Sequence, residues 1–361
     1  MKTFTCQCGN TLHFENSRCM VCGRDLGFVC EDLQLSTIEP AGEGKWLALS
    51  NGQHYRKCAN FEQYQTCNWL VPDSEQNSYC FSCRLNQIIP NLSEPENIKL
   101  WYRIEVAKRR LLYTLFQLQL PVIDRKQDAK KGLAFEFMKD QPRYDEFSNT
   151  VTDVNRVMTG HHSGIITINI MEAEDSAREQ MREQMKEGYR TLLGHFRHEI
   201  GHYYWERLVN HSANLDEFRE LFGDERQNYQ QALQNYYQQD PGMFWRDGFI
   251  SAYASAHPWE DWAETWAHYL HMIDTLETAN DIGFSIKSKF HSSPAANGIN
   301  DLSAIKSMDF DALQDDWSSL TIGLNALNRS MGLTDAYPFV LSKPALQKLR
   351  FVHRLIVDQS S

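Results

Sequence analysis

No cysteine follows Cys83, so thiol chemistry is confined to the first quarter of the 361-residue chain. No apolar run approaches the roughly 18 residues of a membrane span, and no transmembrane helix is expected. The opening MKTFTC has no apolar run behind it and does not read as a signal peptide. A reducing, cytoplasmic setting is therefore expected, where clustered cysteines are more often metal ligands than disulfides. Basic residues are in the minority, 36 Lys+Arg against 47 Asp+Glu, giving a formal net charge of -11. That balance disfavours a polyanionic partner. Internal repeats and low-complexity segments are missing too. What is present is apolar material, 42% hydrophobic and 12% aromatic, enough for a sizeable core and too much for a disordered chain. The length suggests two or three domains.

The nine cysteines are patterned. Cys6, Cys8, Cys19 and Cys22 read C-x-C, ten residues, C-x2-C, with Gly9 and Gly23 after the pairs. Glycine there permits the tight turns that bring two sulfurs onto one ion. Cys58, Cys67, Cys80 and Cys83 form a second set that also ends in C-x2-C. Each set supplies the four thiolates of a closed structural zinc site. Redox cysteines and pairing across the sets are the competing readings. Cys30 is left over and reads as a buried thiol. Residues 1–95 carry seven Lys+Arg against ten Asp+Glu, net -3. The cysteine-rich head, residues 1–90, is therefore expected to dock a protein partner rather than nucleic acid.

Residues 86–97, NQIIPNLSEPEN, read as a linker. A helix follows, with Leu100, Ile104, Ala107, Leu111, Leu115 and Leu118 at three- and four-residue steps. Its basic run, Lys108 to Arg110, predicts a solvated face or a contact with acidic residues. GIITINI, 164–170, predicts a strand, and 172–190 an exposed helix with a Glu174–Arg178 pair. The tail from about 281 mixes polar loops with an amphipathic segment near 311–330.

The chemistry centres on HEIGH, His198 to His202. On a helix, residues four apart share a face, so His198 and His202 can point at one ion while Glu199 reaches a water on it. A third ligand on the same helix fails: Glu206 lies about 12 Å along the axis from His198. The HExxHxxGxxH extension is absent, because Trp205 and Leu208 stand at those positions. HPWEDWAE, 257–264, offers Glu260 and Glu264 four apart on a helix starting after Pro258. One carboxylate can bind metal and the other can hydrogen-bond a ligating histidine. Trp259, Trp262, Trp266 and Tyr269 suit a buried helix. His195 stands one turn before His198 and reads as a supporting residue at the site. Glu264 with His268 and the helix histidines is an alternative set. His161 and His162 read as loop or substrate-contact residues, and His271 shares helical spacing with His268.

HEIGH followed by Glu260-Asp-Trp-Ala-Glu264 resembles the gluzincin pattern, HExxH with a downstream ExxAE. The resemblance implies Glu260 as the third zinc ligand, Glu264 as the carboxylate behind a ligand, and Tyr253, seven residues before Glu260, as an oxyanion-stabilising group. More narrowly, the chain resembles bacterial zinc-binding metallopeptidases with an N-terminal zinc-ribbon domain. That likeness runs through FENSRCMVCG, CNWLVP, GIITINI, YRTLLGHFRHEIGHYYW, SAYASAHPWEDWAETWAHYLH, LNRSMGL and YPFVLS. The first knuckle departs from it, Cys6-Gln7-Cys8 standing where C-x2-C is expected. The implied fold is α+β: a zinc-ribbon module over 1–90, then a mainly helical zincin-like domain with a short β-sheet over 98–361.

The expected function is zinc-dependent hydrolysis of a peptide or protein substrate, with one catalytic and one or two structural zinc ions. Glu199 acts as base, and strand 164–170 is expected to line the cleft and pair with extended substrate. Two rivals stand beside it: a catalytically silent zinc-binding scaffold, and a zinc amidohydrolase of a non-protein amide.

Overall fold

Short strands joined by tight turns alternate with small helices until residue 94, and long helices dominate the later part. The structure, a computed structural model, describes residues 2–144, 151–184, 190–238, 244–284 and 308–359. The chain falls into two compact units, Met1–Tyr113 with Val122–Met185, and Thr114–Pro121 with Lys186–Ser361.

In the first unit, β1 (Phe4–Thr5) and β2 (Thr11–Leu12) form a hairpin around the first cysteine pair. Strands β3 (Asp25–Val29), β4 (Gln34–Pro40), β5 (Trp46–Ala48), β6 (His54–Lys57) and β7 (Leu70–Pro72) form an antiparallel sheet in sequence order. Helix α1 (Ala59–Tyr64) fills the β6–β7 connection, and α2 (Phe81–Arg84) precedes β8 (Asn86–Ile88). Helix α3 (Pro95–Gln117) follows, then β9 (Ala134–Met138), the hairpin β10 (Gln141–Tyr144) and β11 (Val151–Asn155), and β12 (Gly160–His162) and β13 (Ile165–Asn169). A second sheet runs β12-β13-β9-β8, with β9 parallel to both β13 and β8. Period-2 burial along β9 and β13 reflects their Phe and Ile faces. Phe28 and Trp69 stack with centroids 4.9 Å apart, and Phe14 meets both edge-on. Tyr113 of α3 packs on Phe14 at 5.6 Å, so α3 shares the core of the cysteine-rich head.

The strand expected at 164–170 is β13, but β12 and β9 pair with its two edges, so neither is open to an extended substrate. Two other expectations change. The first residues of the expected linker are a strand, laddered in parallel with β9. The Asn86 side chain is tied down: its Nδ2 donates to Glu105 Oε1 at 2.7 Å and its Oδ1 accepts from Lys108. The basic run takes the acidic-contact form of its expectation: buried Lys108 (0% exposed) and Arg109 (2%) meet Glu105 at 2.9 and 3.6 Å, and Arg110 reaches outward to Glu15 at 2.6 Å. The exposed helix is the shorter α4 (Asp175–Gln184) after a 3-10 turn at Ile170–Ala173. Arg178 pairs there with Asp175 at 2.5 Å rather than with Glu174. Residues 185–189 of that expectation lie outside the described residues.

The second unit is helical: α5 (Leu192–Leu208), α6 (Leu215–Phe222), α7 (Tyr229–Gln238), α8 (Pro258–Asp281), α9 (Phe310–Ser330) and α10 (Lys343–Asp358). Short 3-10 turns, Phe244–Asp247 and Tyr253–Ala256, lead into α8. Helix α8 is the hub, packed against α5, α6, α9 and α10. Its Trp262, Trp266 and Tyr269 are fully buried, so the aromatic crowding reads correctly as a buried helix. The amphipathic segment near 311–330 is α9. Helix α10 carries no motif and was not expected. Of the polar loops expected from about 281, residues 285–307 lie outside the described residues. No helix among the described residues is long and apolar enough to cross a membrane.

Candidate active site

Both motif blocks are helical for local reasons. Thr191 caps α5, its hydroxyl accepting from Gly194 N–H at 3.0 Å. Pro258 opens α8, and His257 Nδ1 accepts from Trp259 N–H at 3.1 Å, which makes His257 a cap and not a ligand. The two helices approach closely at Gly201. A Cβ there would stand 3.1 Å from Ala263 Cα and 3.1 Å from Trp266 Cβ. Trp262 Nε1 donates to the Gly201 carbonyl at 2.8 Å. The glycine of HEIGH and the alanine of WEDWAE thus set the helix spacing.

That spacing brings ligand atoms of His198, His202 and Glu260 within 4.8 Å of one another. His198 Nε2 is 3.0 Å from Glu260 Oε2, and His202 Nε2 is 3.6 Å from Glu260 Oε1. Tetrahedral zinc with bonds of about 2.0–2.1 Å sets ligand atoms about 3.3 Å apart, so the set fits that ion. Glu260 is 1% exposed, and its Oε2 faces the His198 ring nitrogen. A buried carboxylate between two imidazole rings is costly unless a ring is protonated or a cation joins them. Burial opposes ionisation of Glu260, yet His202 and His198 hold its carboxyl well below the usual range. Burial likewise penalises a charged His198, but Glu260 and Glu264 outweigh it and favour positive charge at this spot.

Glu264 Oε1 lies 2.7 Å from His198 Nδ1, fixing that ring with Nε2 toward the other ligands. Ser251 Oγ donates to Glu264 Oε2 at 2.6 Å. Glu199 is buried, and its Oε2 has no hydrogen-bond partner among the described residues. Burial pushes its carboxyl up, against the pull of His198 and His202. His195 is half-buried and close enough to Glu199 to lower that carboxyl electrostatically. The Tyr253 ring stands 5.9 Å from the His198 ring. Burial, reinforced by Glu260, keeps the Tyr253 phenol protonated.

Three residues outside the expected set also belong to the site. Tyr229 of α7 donates to Glu260 Oε1 at 2.7 Å. Ser251 buttresses Glu264. Trp259 lies against the His202 ring, with centroids 4.1 Å apart. Trp259 lies within the second block and Ser251 shortly before it, whereas Tyr229 leaves no signal in the sequence.

The alternative set through His268 is not assembled: ligand atoms among the described residues gather in three groups, none containing His268. Its Nδ1 pairs with Tyr337 Oη at 2.9 Å, and burial lowers its pKa to about 4. His271 is lowered to about 2 by burial, then by Arg197. His161 Nε2 accepts from Gly164 N–H at 3.0 Å within the β12–β13 turn, and His162 is exposed.

The other two groups are Cys6, Cys8, Cys19, Cys22 and Cys58, Cys67, Cys80, Cys83, with no pairing across them. Sulfurs stand 3.6 Å apart for Cys6–Cys22 and Cys67–Cys80, and 3.7 Å for Cys8–Cys19. Zinc–sulfur bonds of about 2.3 Å place tetrahedral sulfurs about 3.8 Å apart, whereas a disulfide needs about 2.05 Å. The short C-x-C half closes because Gly9 takes φ +84° and donates N–H to the Cys6 carbonyl at 2.8 Å, as Gly23 does at φ +73° to Cys19 at 2.9 Å. Cys30 is half-buried, and desolvation with Glu31 beside it keeps the thiol protonated.

Comparison with known proteins agrees with this geometry. Residues 97–355 match the family described as "Putative zinc-binding metallo-peptidase", and residues 3–94 match a zinc-ribbon domain. An uncharacterized protein of Mycobacterium tuberculosis (strain H37Rv) is 41% identical over 358 residues, covering 99% of this chain and 95% of the relative. Uncharacterized proteins of Mycobacterium tuberculosis strain CDC 1551 and of Mycobacterium bovis match to the same extent. No solved structure matches the chain. With a buried His-His-Glu triplet inside the matched segment and two four-cysteine groups ahead of it, the chain belongs to this zinc-binding metallopeptidase family and carries an N-terminal zinc ribbon.

Proposed function

We propose that the protein hydrolyses peptide bonds at a zinc site formed by His198, His202 and Glu260, with Glu199 as general base. The observation that carries this reading is Glu199 Oε2, buried and without a hydrogen-bond partner among the described residues, next to the converged triplet. A purely structural metal site has no use for such a carboxylate. Zinc, when bound, polarises the substrate carbonyl and acidifies a water. Glu199 takes a proton from the attacking water and passes it to the leaving amine, a task suited by its raised pKa. Tyr253, kept protonated, donates to the developing oxyanion. Glu264 and Ser251 fix the His198 ring, and Tyr229 fixes Glu260. The two cysteine groups hold one structural zinc each, for three ions per chain. We assign the ribbon, residues 1–90, to docking of a protein partner and residues 98–361 to hydrolysis.

The test is a Glu199→Gln variant with its metal content verified, assayed on a library of proteome-derived peptides. Retained zinc with cleavage reduced about 10²–10⁴-fold is expected. Cleavage at the wild-type rate removes Glu199 as base. Zinc-loaded wild type that cleaves nothing favours the scaffold reading instead.

A further inference from the structure

The two cysteine groups sit in different surroundings. Cys8 and Cys22 are exposed, so water screens the first group, whereas Cys58, Cys67, Cys80 and Cys83 are all buried. Zinc with four thiolates carries a net charge of -2, and such a charge is unstable in a buried setting without a compensating partner.

Arg109 is placed to be that partner. It is 2% exposed, and its Nη1 donates to the carbonyl of Thr66, the residue before Cys67, at 2.7 Å. Burial works against a charged guanidinium here, yet Cys67, Glu105, Cys83 and Cys80 together more than offset it. Glu105 does not cancel Arg109 alone. Its Oε2 lies 3.6 Å from Arg109 Nη1, while its Oε1 is held by Lys108 Nζ at 2.9 Å, Asn86 at 2.7 Å and Trp101 at 3.2 Å. Two buried cations against one buried carboxylate leave this cluster at +1. A cation that is desolvated and only partly matched by its carboxylate needs a second anion, and the thiolates are the anions its field meets.

We propose that Arg109 is the built-in counter-charge of the buried four-cysteine zinc site. It acts as a positioning residue, holding one ion through the thiolates, while the exposed site relies on solvent. The proposal rests on both cysteine groups holding zinc. It also ties the ribbon to α3, which lies in the segment matching the peptidase family. That explains why a basic run on this helix faces inward.

The experiment uses the full chain, zinc-loaded, as wild type, Arg109→Gln and Arg109→Lys. Release of zinc to a chromogenic chelator is followed in time, with total zinc counted. Thiolate-to-cobalt absorption of the cobalt-substituted protein reports the ligand set. The exposed site should release at the same rate in all three. Release from the buried site should accelerate about tenfold or more in Arg109→Gln and return to within about threefold of wild type in Arg109→Lys. Unchanged buried-site release in folded Arg109→Gln overturns the proposal alone. Wild type without ribbon zinc overturns the zinc-ribbon reading and the proposal with it. Should Arg109→Gln not fold, Arg109→Lys decides: wild-type-like release supports the charge role, and tenfold acceleration assigns the effect to the Thr66 hydrogen bond instead.

Discussion

Tyr229 lies 31 residues from Glu260 in sequence, yet its hydroxyl takes one oxygen of that carboxylate. A ligand held from behind loses less freedom on binding metal, so Tyr229→Phe should weaken the catalytic site's zinc affinity about 10–100-fold. Ribbon zinc should stay constant, and competitive metal titration measures both. An unchanged affinity would make Tyr229 a bystander. His268 shows the opposite use of a polar residue. Burial lowers its pKa from 6.5 to about 4, so the folded state prefers it neutral. The folded pKa is the depressed one, so its contribution is complete above pH 6.5 and declines as pH falls toward 4. Wild type should lose roughly 2 kcal/mol of stability at pH 5 through this residue, and His268→Gln should flatten that dependence. Urea midpoints at pH 7 and pH 5 for the two proteins decide it, and equal losses refute the assignment. At this scale HEIGH and the paired glutamates were legible, because i,i+4 geometry converts spacing into a shared face. Tyr229 was not, because hydrogen bonding between distant segments leaves no local period.

The α5–α8 crossing is the element that makes three side chains a site. Its closeness depends on Gly201, whose added Cβ would press on the backbone of Ala263 and on Trp266 Cβ. Gly201→Ala should cost about 1–3 kcal/mol through overpacking and shift the two histidines away from Glu260. Denaturant unfolding together with zinc content in the same preparation tests it. Wild-type values in both would mean that the crossing has slack. Helices α3 and α9 were readable from apolar steps, α5 from the i,i+4 spacing of HEIGH and α8 from its N1 proline. Strand β8 was not, since NQI takes strand form through its parallel ladder with the distant β9, while the Asn86 side chain is held by Glu105 and Lys108. Helix α10 is amphipathic, but no motif drew attention to it.

At the scale of the molecule, the proposed function gives metal two different parts. The triplet lies between helices whose aromatic core already packs, through contacts such as Phe218 with Trp262. The ribbon has short strands, and under the proposed reading thiolate coordination supplies much of its folding energy. A mild chelator should therefore abolish cleavage while far-UV circular dichroism stays constant. Stripping the ribbon ions should reduce the strand signal. Loss of both at the same chelator concentration would contradict this division. Composition puts a boundary near residue 90, and the two family matches run over residues 3–94 and 97–355. The first compact unit nevertheless continues through most of α3 and the β9–β13 sheet. Parallel pairing of β8 with β9, across nearly fifty intervening residues, is a long-range event that local composition does not encode.

Lys348 of α10 donates to Asp261 Oδ2 at 2.6 Å and to the Gly248 carbonyl at 2.8 Å, tying the loop before Ser251 and Tyr253 to α8. During synthesis the ribosome adds this lysine 87 residues after the aspartate it grips. A nascent chain thus carries every candidate zinc ligand well before it carries the lysine that ties the 248–253 loop to α8.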